Sequence, residues 1–210
     1  MKIAIIGAGN VGKALATSSV RAGHHVTISA SGQGSAVRAA EATGAHAAAT
    51  NRDAVAGADV VVLAVWYASV DDVLVELGNA LDNKVVIDTT NPVKSDLSGL
   101  LFAGTSAAEQ LQAKVPGASV VKAFNTIFAA RQADPFVNGT PVDALYAGDD
   151  EDAKATVARY ATSMGFRPID VGRLDLARAL ESFALLNMQI QVHTNGSWQG
   201  GWKLLEPKAA

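Results

Sequence analysis

The chain reads as short apolar runs separated by alanine-rich stretches in which apolar residues return every three or four positions. Runs rich in β-branched residues predict strands over 2–7, 25–31, 60–65, 84–88, 119–124, 142–146 and 167–171, with a weaker one near 45–49. Val60-Val61-Val62-Leu63-Ala64-Val65 is apolar at every position, the pattern of a parallel strand covered on both faces. Helical stretches fill the intervals, and Gly23 and Gly165 close two of them. This alternation predicts an α/β fold: a Rossmann-type, doubly wound, mainly parallel sheet over residues 1–172. No solenoid period and no Pro-, Gly- or Ser-rich linker interrupts it.

Residues 173–210 differ and are read as a small C-terminal helical extension. A helix is predicted from about 174 to 192, with Leu176, Leu180, Phe183, Leu186 and Ile190 spaced to fall on one side. Asn187 is a polar interruption at the edge of that stripe, and a glycine- and tryptophan-rich tail follows over 195–202. Such a segment either closes the sheet's edge by packing, or walls a ligand cleft, or makes a dimer contact.

Composition narrows the classes. A chain of 210 residues, 49% hydrophobic, accommodates one α/β domain and an appendage but not two large domains. The net charge of −3 gives no overall attraction to nucleic acid or to an anionic membrane. The absence of cysteine excludes disulfides, cysteine-ligated clusters and thiolate chemistry. The opening Met1-Lys2-Ile3-Ala4-Ile5-Ile6 is too short for a signal peptide's apolar region, and no apolar run approaches the roughly 18 residues that span a bilayer. A cytoplasmic protein is expected.

Gly7-Ala8-Gly9-Asn10-Val11-Gly12 fits G-x-G-x-x-G between a strand and a helix, the context in which this loop binds a dinucleotide. Gly7 permits the turn, Gly9 lets the backbone approach the pyrophosphate, and Gly12 allows helix to pack on strand. The helix opening near Asn10 and Val11 then points free N–H groups at the phosphates. At the end of the second strand, where an acidic residue would hold a ribose hydroxyl, the chain has Ser29-Ala30-Ser31, with Arg38 further on. NADP is therefore favoured, with NAD possible. Arg38 is either its 2′-phosphate ligand or a solvated helix residue.

Ligands in such sheets lie beyond the carboxyl ends of the strands. Those turns are Ala64-Val65-Trp66-Tyr67, then Asn91-Pro92, then Asn125-Thr126-Ile127. They would surround a nicotinamide ring. Trp66 and Tyr67 either cover a ring or pack, and the Asn125 amide either orients a polar edge or satisfies its own turn. His24 and His25 lie at the wrong end of their strand, His46 and His193 are isolated, and no metal site is expected. No catalytic acid–base pair stands out. Hydride transfer between two rings needs none, whereas carbonyl reduction normally needs a proton donor.

The chain resembles the coenzyme F420-dependent NADP oxidoreductases over nearly its whole length. The resemblance rests on Ile5-Ile6-Gly7-Ala8-Gly9-Asn10-Val11-Gly12, Ser106-Ala107-Ala108-Glu109, Val120-Val121-Lys122-Ala123-Phe124-Asn125-Thr126-Ile127, Ala147-Gly148-Asp149-Asp150, Gly165-Phe166-Arg167-Pro168, and Arg178 with Glu181-Ser182. Lys122-Ala123-Phe124-Asn125-Thr126 also resembles the NADPH-dependent reductase domain of the STEAP metalloreductases. The family carries Ser-Arg-Arg where this chain has Ala30-Ser31-Gly32, and histidine where it has Asn125. The resemblance implies an NADP-linked oxidoreductase whose second ligand is F420 or a flavin such as FMN. It also implies that Asn125, Thr126 and Ile127 face that acceptor, and that the C-terminal helix walls it and joins a homodimer. A dinucleotide sensor without turnover, and a small imine or β-hydroxyacid reductase, are the alternatives.

Overall fold

A computed structural model describes residues 1–205, so the last five positions of the C-terminal segment lie outside the described residues. The strand runs form where expected: β1 (Lys2–Ile6), β2 (His25–Ser29), β3 (His46–Ala47), β4 (Val60–Leu63), β5 (Val85–Asp88), β6 (Ser119–Ala123), β9 (Asp143–Gly148) and β10 (Arg167–Gly172). They make one eight-stranded sheet in the order β10-β9-β6-β5-β4-β1-β2-β3. Successive neighbours from β3 across to β6 are parallel, while β9 is antiparallel to β6 and parallel to β10. The last two strands therefore aim their carboxyl ends at the opposite edge. Chain order reverses between β1 and β4, and the glycine loop leaves β1 at that switch point.

Alternation along the strands builds two cores. Ile3 and Ile5 of β1 and Val60 and Val62 of β4 face one side, with Leu15 of α1 (Asn10–Arg21) and Val157 and Tyr160 of α7 (Glu151–Ser163). Ala4, Ile6, Val61 and Leu63 face the other, with Val55 of α3 (Asn51–Val55), Val73 and Leu77 of α4 (Val70–Leu77) and Leu111 of α5 (Ala107–Lys114). All four residues of β4 are buried, which is why that run carries no polar position. The acidic stretch before α7 acts as a cap: Asp150 accepts the Ala153 N–H at 2.8 Å. Between α6 (Ala129–Ala133) and β9 lies a hairpin that the strand pattern did not predict, β7 (Phe136–Val137) with β8 (Thr140–Pro141). Its turn, Asn138-Gly139, has φ of 48° and 77°, the positive pair that a two-residue hairpin favours.

The C-terminal helix α8 (Ala177–Thr194) forms, but of the predicted apolar stripe only Leu180 is buried. The buried positions are Ala177, Leu180, Glu181, Ala184 and Asn187, whereas Leu176 and Leu186 are exposed. The expected stripe is thus corrected: the helix is rotated so that two polar residues, Glu181 and Asn187, face the domain.

The rotation has an electrostatic cause. Lys122 sits inside β6 with no solvent exposure, and its ammonium has three hydrogens to place. It donates to Asp88 Oδ2 at 2.8 Å and to the Thr90 carbonyl at 2.6 Å, and it pairs with Glu181 Oε1 at 2.7 Å. Glu181 in turn accepts the Ala107 N–H, the first of α5, at 2.9 and 3.2 Å. Asp88 Oδ1 accepts the Thr90 N–H at 2.8 Å. Two carboxylates on one lysine leave a negative excess, which these N–H groups and the positive end of α5 offset. Burial pushes the Glu181 carboxyl above its ordinary pKa, with Lys122 opposing that shift.

Truncating Glu181 takes one oxygen from the buried Lys122 ammonium and leaves the Ala107 N–H without its acceptor, while Asp88 still balances the lysine charge. Glu181→Ala is expected to lower the free energy of unfolding by about 1–3 kcal/mol in urea titrations. Glu181→Gln, which leaves Lys122 paired to Asp88 and an oxygen for Ala107, should cost less.

Candidate active site

The glycine loop is shaped by collisions that only glycine avoids. A Cβ on Gly7, at φ 111°, would strike the carbonyl oxygen of Ala64, and one on Gly12 would strike that of Gly7. A Cβ on Gly9 would meet nothing within 4 Å. The space beside Gly9 lies outside the protein's own packing, as a site for backbone approach to a phosphate requires. Gly9 caps α1 without any side-chain hydrogen bond, so a ligand is free to meet the first-turn N–H groups. Asn10 is exposed at the helix start. The Gly7 N–H donates to the Ser29 carbonyl at 3.0 Å, and the Ala64 N–H to Ile6 at 2.8 Å. The loop is therefore seated between the ends of β2 and β4.

At the end of β2 the candidates diverge. Ser29 is fully buried and its hydroxyl donates to Asn51 Oδ1 at 2.7 Å, while the Asn51 amide donates to Glu76 Oε2 at 2.5 Å. Its hydroxyl serves the fold. Ala30 is half-buried and Ser31 exposed, leading to Gly32, which caps α2 (Gln33–Thr43) without a side-chain bond. Arg38 is exposed, and it donates to Ser35 Oγ at 3.1 Å. Its guanidinium thus folds back over the first turn of α2, beside the loop where a 2′-phosphate is expected.

Of the ring-side turns, Ala64 is buried and Val65 half-buried against Gly7. Trp66 is 85% exposed, so its ring does not pack within this chain. Tyr67 does pack: its ring lies edge-on to Phe102 at 5.6 Å, and its hydroxyl donates to Gln110 at 2.8 Å. Pro92 is buried beneath the turn that presents Asn91.

A cleft of about 120 Å³ opens where the turns after β5 and β6 meet α1, α6 and α8. Val11 enters it from α1, Thr89 and Asn91 follow β5, and the segment from Phe124 to Ala129 follows β6. Gln132 of α6 and Ala184, Asn187 and Met188 of α8 complete the wall. No charged side chain lines it, so it suits a neutral aromatic group. Side-chain amides fasten its walls. Asn91 Nδ2 donates to the Asn125 carbonyl at 3.0 Å, and Asn125 Nδ2 to Asn91 Oδ1 at 2.9 Å. Asn187 Nδ2 donates to the Thr126 carbonyl at 3.1 Å, tying α8 to the turn. Gln132 Nε2 donates to the carbonyls of Phe124 and Ile127 at 3.0 and 2.9 Å. The buried Phe124 takes φ 62°, a left-handed conformation costly for a bulky side chain. Its ring is held edge-on by Tyr160 at 5.9 Å and Phe166 at 5.6 Å.

The predicted residues Gly7, Gly9, Gly12, Val11, Ala64, Val65, Asn91, Asn125, Thr126 and Ile127 are thus gathered on one edge. Thr89, Gln132, Ala184, Asn187 and Met188 were not singled out as site residues. Asn187, which interrupts the apolar stripe of its helix, was one signal for this wall, and Lys122, standing inside an otherwise apolar strand, is a second that could have been used. A lysine inside such a strand demands buried acid partners, which are what bring α8 against the cleft.

The family model for the NADP oxidoreductase, coenzyme F420-dependent, matches residues 2–92. The F420-dependent NADP reductase of Methanothermobacter thermautotrophicus is 34% identical over 91% of this chain and 90% of that protein. Metalloreductase STEAP3 of Rattus norvegicus is 35% identical over 88% of this chain, which spans about a third (36%) of that longer protein. A solved structure from Arthrobacter sp. FB24, provisionally assigned as an F420-dependent NADP reductase, superposes with a TM-score of 0.85. It is 29% identical, and the match covers 98% of this chain and all of that one. A reductive aminase from Aspergillus terreus, solved with NADPH and ethyl levulinate, shares the fold at a TM-score of 0.71 and 22% identity. Full-length identity at this level places the chain in a family: it belongs to the coenzyme F420-dependent NADP oxidoreductases.

Proposed function

We propose that the protein passes hydride between NADP(H) and the tricyclic ring of a deazaflavin (coenzyme F420) or of a flavin such as FMN. The observation that carries this reading is the cleft itself: uncharged, walled by Val11, Ile127, Phe128 and Met188, and lying beyond the carboxyl ends of β5 and β6 with the helix of the glycine loop on one side. Bound NADPH supplies the hydride at its nicotinamide ring. The chain supplies position. N–H groups of α1 after Gly9 and Asn10 hold the pyrophosphate. Ala30 and Ser31, through their backbone and hydroxyl, hold the adenosine end with Arg38. Ala64, Val65, Asn91 and the Asn125 turn hold the nicotinamide. Thr126, Ile127 and Met188 face the second ring, and the exposed Trp66 ring, on the turn after β4, covers the nicotinamide once it is bound. Two rings held face to face in a slot without charge or ready proton transfer favour hydride over side reactions.

Leu186 and Val192 of α8 are exposed, as are Leu204 and Leu205 of the tail, which together make an apolar C-terminal surface. That apolar surface supports a homodimer in which a second copy covers α8.

Two outcomes test this reading. Purified protein with NADPH should reduce oxidised F420 or FMN, followed by absorbance. NADPH binding without reduction of either acceptor would leave a sensor in place of an enzyme. In the same assay Arg38→Ala should raise the KM for NADPH by about tenfold, the worth of a charge-assisted contact, and leave that for NADH nearly unchanged.

A further inference from the structure

Two side-chain oxygens in the cleft have no hydrogen-bond partner: Asn125 Oδ1 and Gln132 Oε1. Both residues are deeply buried, at 6% and 1% exposure, and both line the cleft. Neither oxygen is a matter of amide orientation. Gln132 Nε2 donates to two carbonyls, Phe124 and Ile127, so turning that amide over would set oxygen against oxygen twice. Asn91 Nδ2 donates to the Asn125 carbonyl, which fixes Asn91 with its oxygen toward Asn125 Nδ2. That in turn fixes Asn125 with its own oxygen unpaired. The Asn187 amide is likewise committed to the Thr126 carbonyl, and the Thr89 hydroxyl to the Leu63 carbonyl at 2.8 Å. Each of these amides is thus anchored to the protein, and the two buried oxygens are acceptors left for a ligand.

We infer that this pair of oxygens receives the two hydrogens of a primary carboxamide, and that in this protein it reads the amide of the nicotinamide. The inference rests on the proposed binding of NADP(H) and assigns the Asn125 side chain to the dinucleotide, leaving Thr126 and Ile127 to the second ring. The chemistry separates the two ligands. The pyrimidinedione edge of a flavin or deazaflavin presents one N–H between two carbonyls, and those carbonyls would face the two acceptors. A carboxamide nitrogen presents two hydrogens and no lone pair. Both oxygens are closed to water in this form, so the amide reaches them by spreading the cleft wall. Met188, with its flexible thioether chain, is the wall residue best able to give.

The test compares dinucleotide analogues by calorimetric titration of the intact protein. The 3-acetylpyridine analogue of NADP+ keeps the carbonyl and replaces the NH2 by methyl, leaving both oxygens unpaired. It should bind at least about tenfold more weakly than NADP+. The thionicotinamide analogue keeps the NH2 and should bind within about threefold. Asn125→Ala, checked for fold by circular dichroism, should shrink the gap between NADP+ and the acetylpyridine analogue. Equal binding of NADP+ and the acetylpyridine analogue by the native protein overturns the inference while leaving the dinucleotide site intact. Failure of NADP+ itself to bind would instead overturn the reading on which it rests.

Discussion

A lysine buried in the middle of a parallel strand has to be surrounded by oxygen, and satisfying Lys122 decides where three distant parts of the chain sit. Asp88 comes from the end of β5, Thr90 from the turn after it, and Glu181 from the C-terminal helix. Glu181 then caps the first N–H of α5. Rotating α8 to bury Leu186 would withdraw Glu181 from Lys122 and from the Ala107 N–H, leaving buried polar groups short of partners. The polar constraint outweighs the apolar one, and its consequence is a wall of Ala184, Asn187 and Met188 beside the turns of β5 and β6.

Directly beyond that cluster the backbone itself is under constraint. Phe124 adopts a left-handed conformation while its ring stays locked between Tyr160 and Phe166. Gln132 ties down the carbonyls on either side of the following turn. The cost of the strained residue is met by packing on one side and by hydrogen bonds on the other. What results is a rigid turn, Asn125-Thr126-Ile127, on which the Asn125 amide is anchored through its nitrogen while its oxygen has no partner. Such a surface fits a neutral ligand with N–H groups, and the sequence's lack of an acid–base pair accords with chemistry done by rings rather than side chains.

Much of this was legible in the sequence. The strand runs, the glycine loop and the carboxyl-edge turns follow from periodicity and from what glycine alone permits, so Gly7, Gly12, Val11, Asn91 and Asn125 fell where a reader would place them. The face of α8 did not follow, because hydropathy ranks Leu186 above Glu181 and has no means of seeing Lys122 across the fold. The hidden hydroxyl of Ser29 was equally out of reach, since only the tertiary contact with Asn51 shows which way it points. The hairpin at Asn138-Gly139 was marked by its turn residues but was too short for strand periodicity to register. In each case the missing information is a long-range polar contact or a local turn, rather than an apolar pattern.

In the proposed reaction a hydride crosses directly between two rings in the cleft that α8 completes. Its most direct measurement is a single turnover with NADPH deuterated at nicotinamide C4 and oxidised deazaflavin, the product being analysed by mass spectrometry. The account expects the deuterium on the deazaflavin ring carbon, transferred from one face of the nicotinamide only. Deuterium released to solvent, or reduction without label in the product, would contradict it.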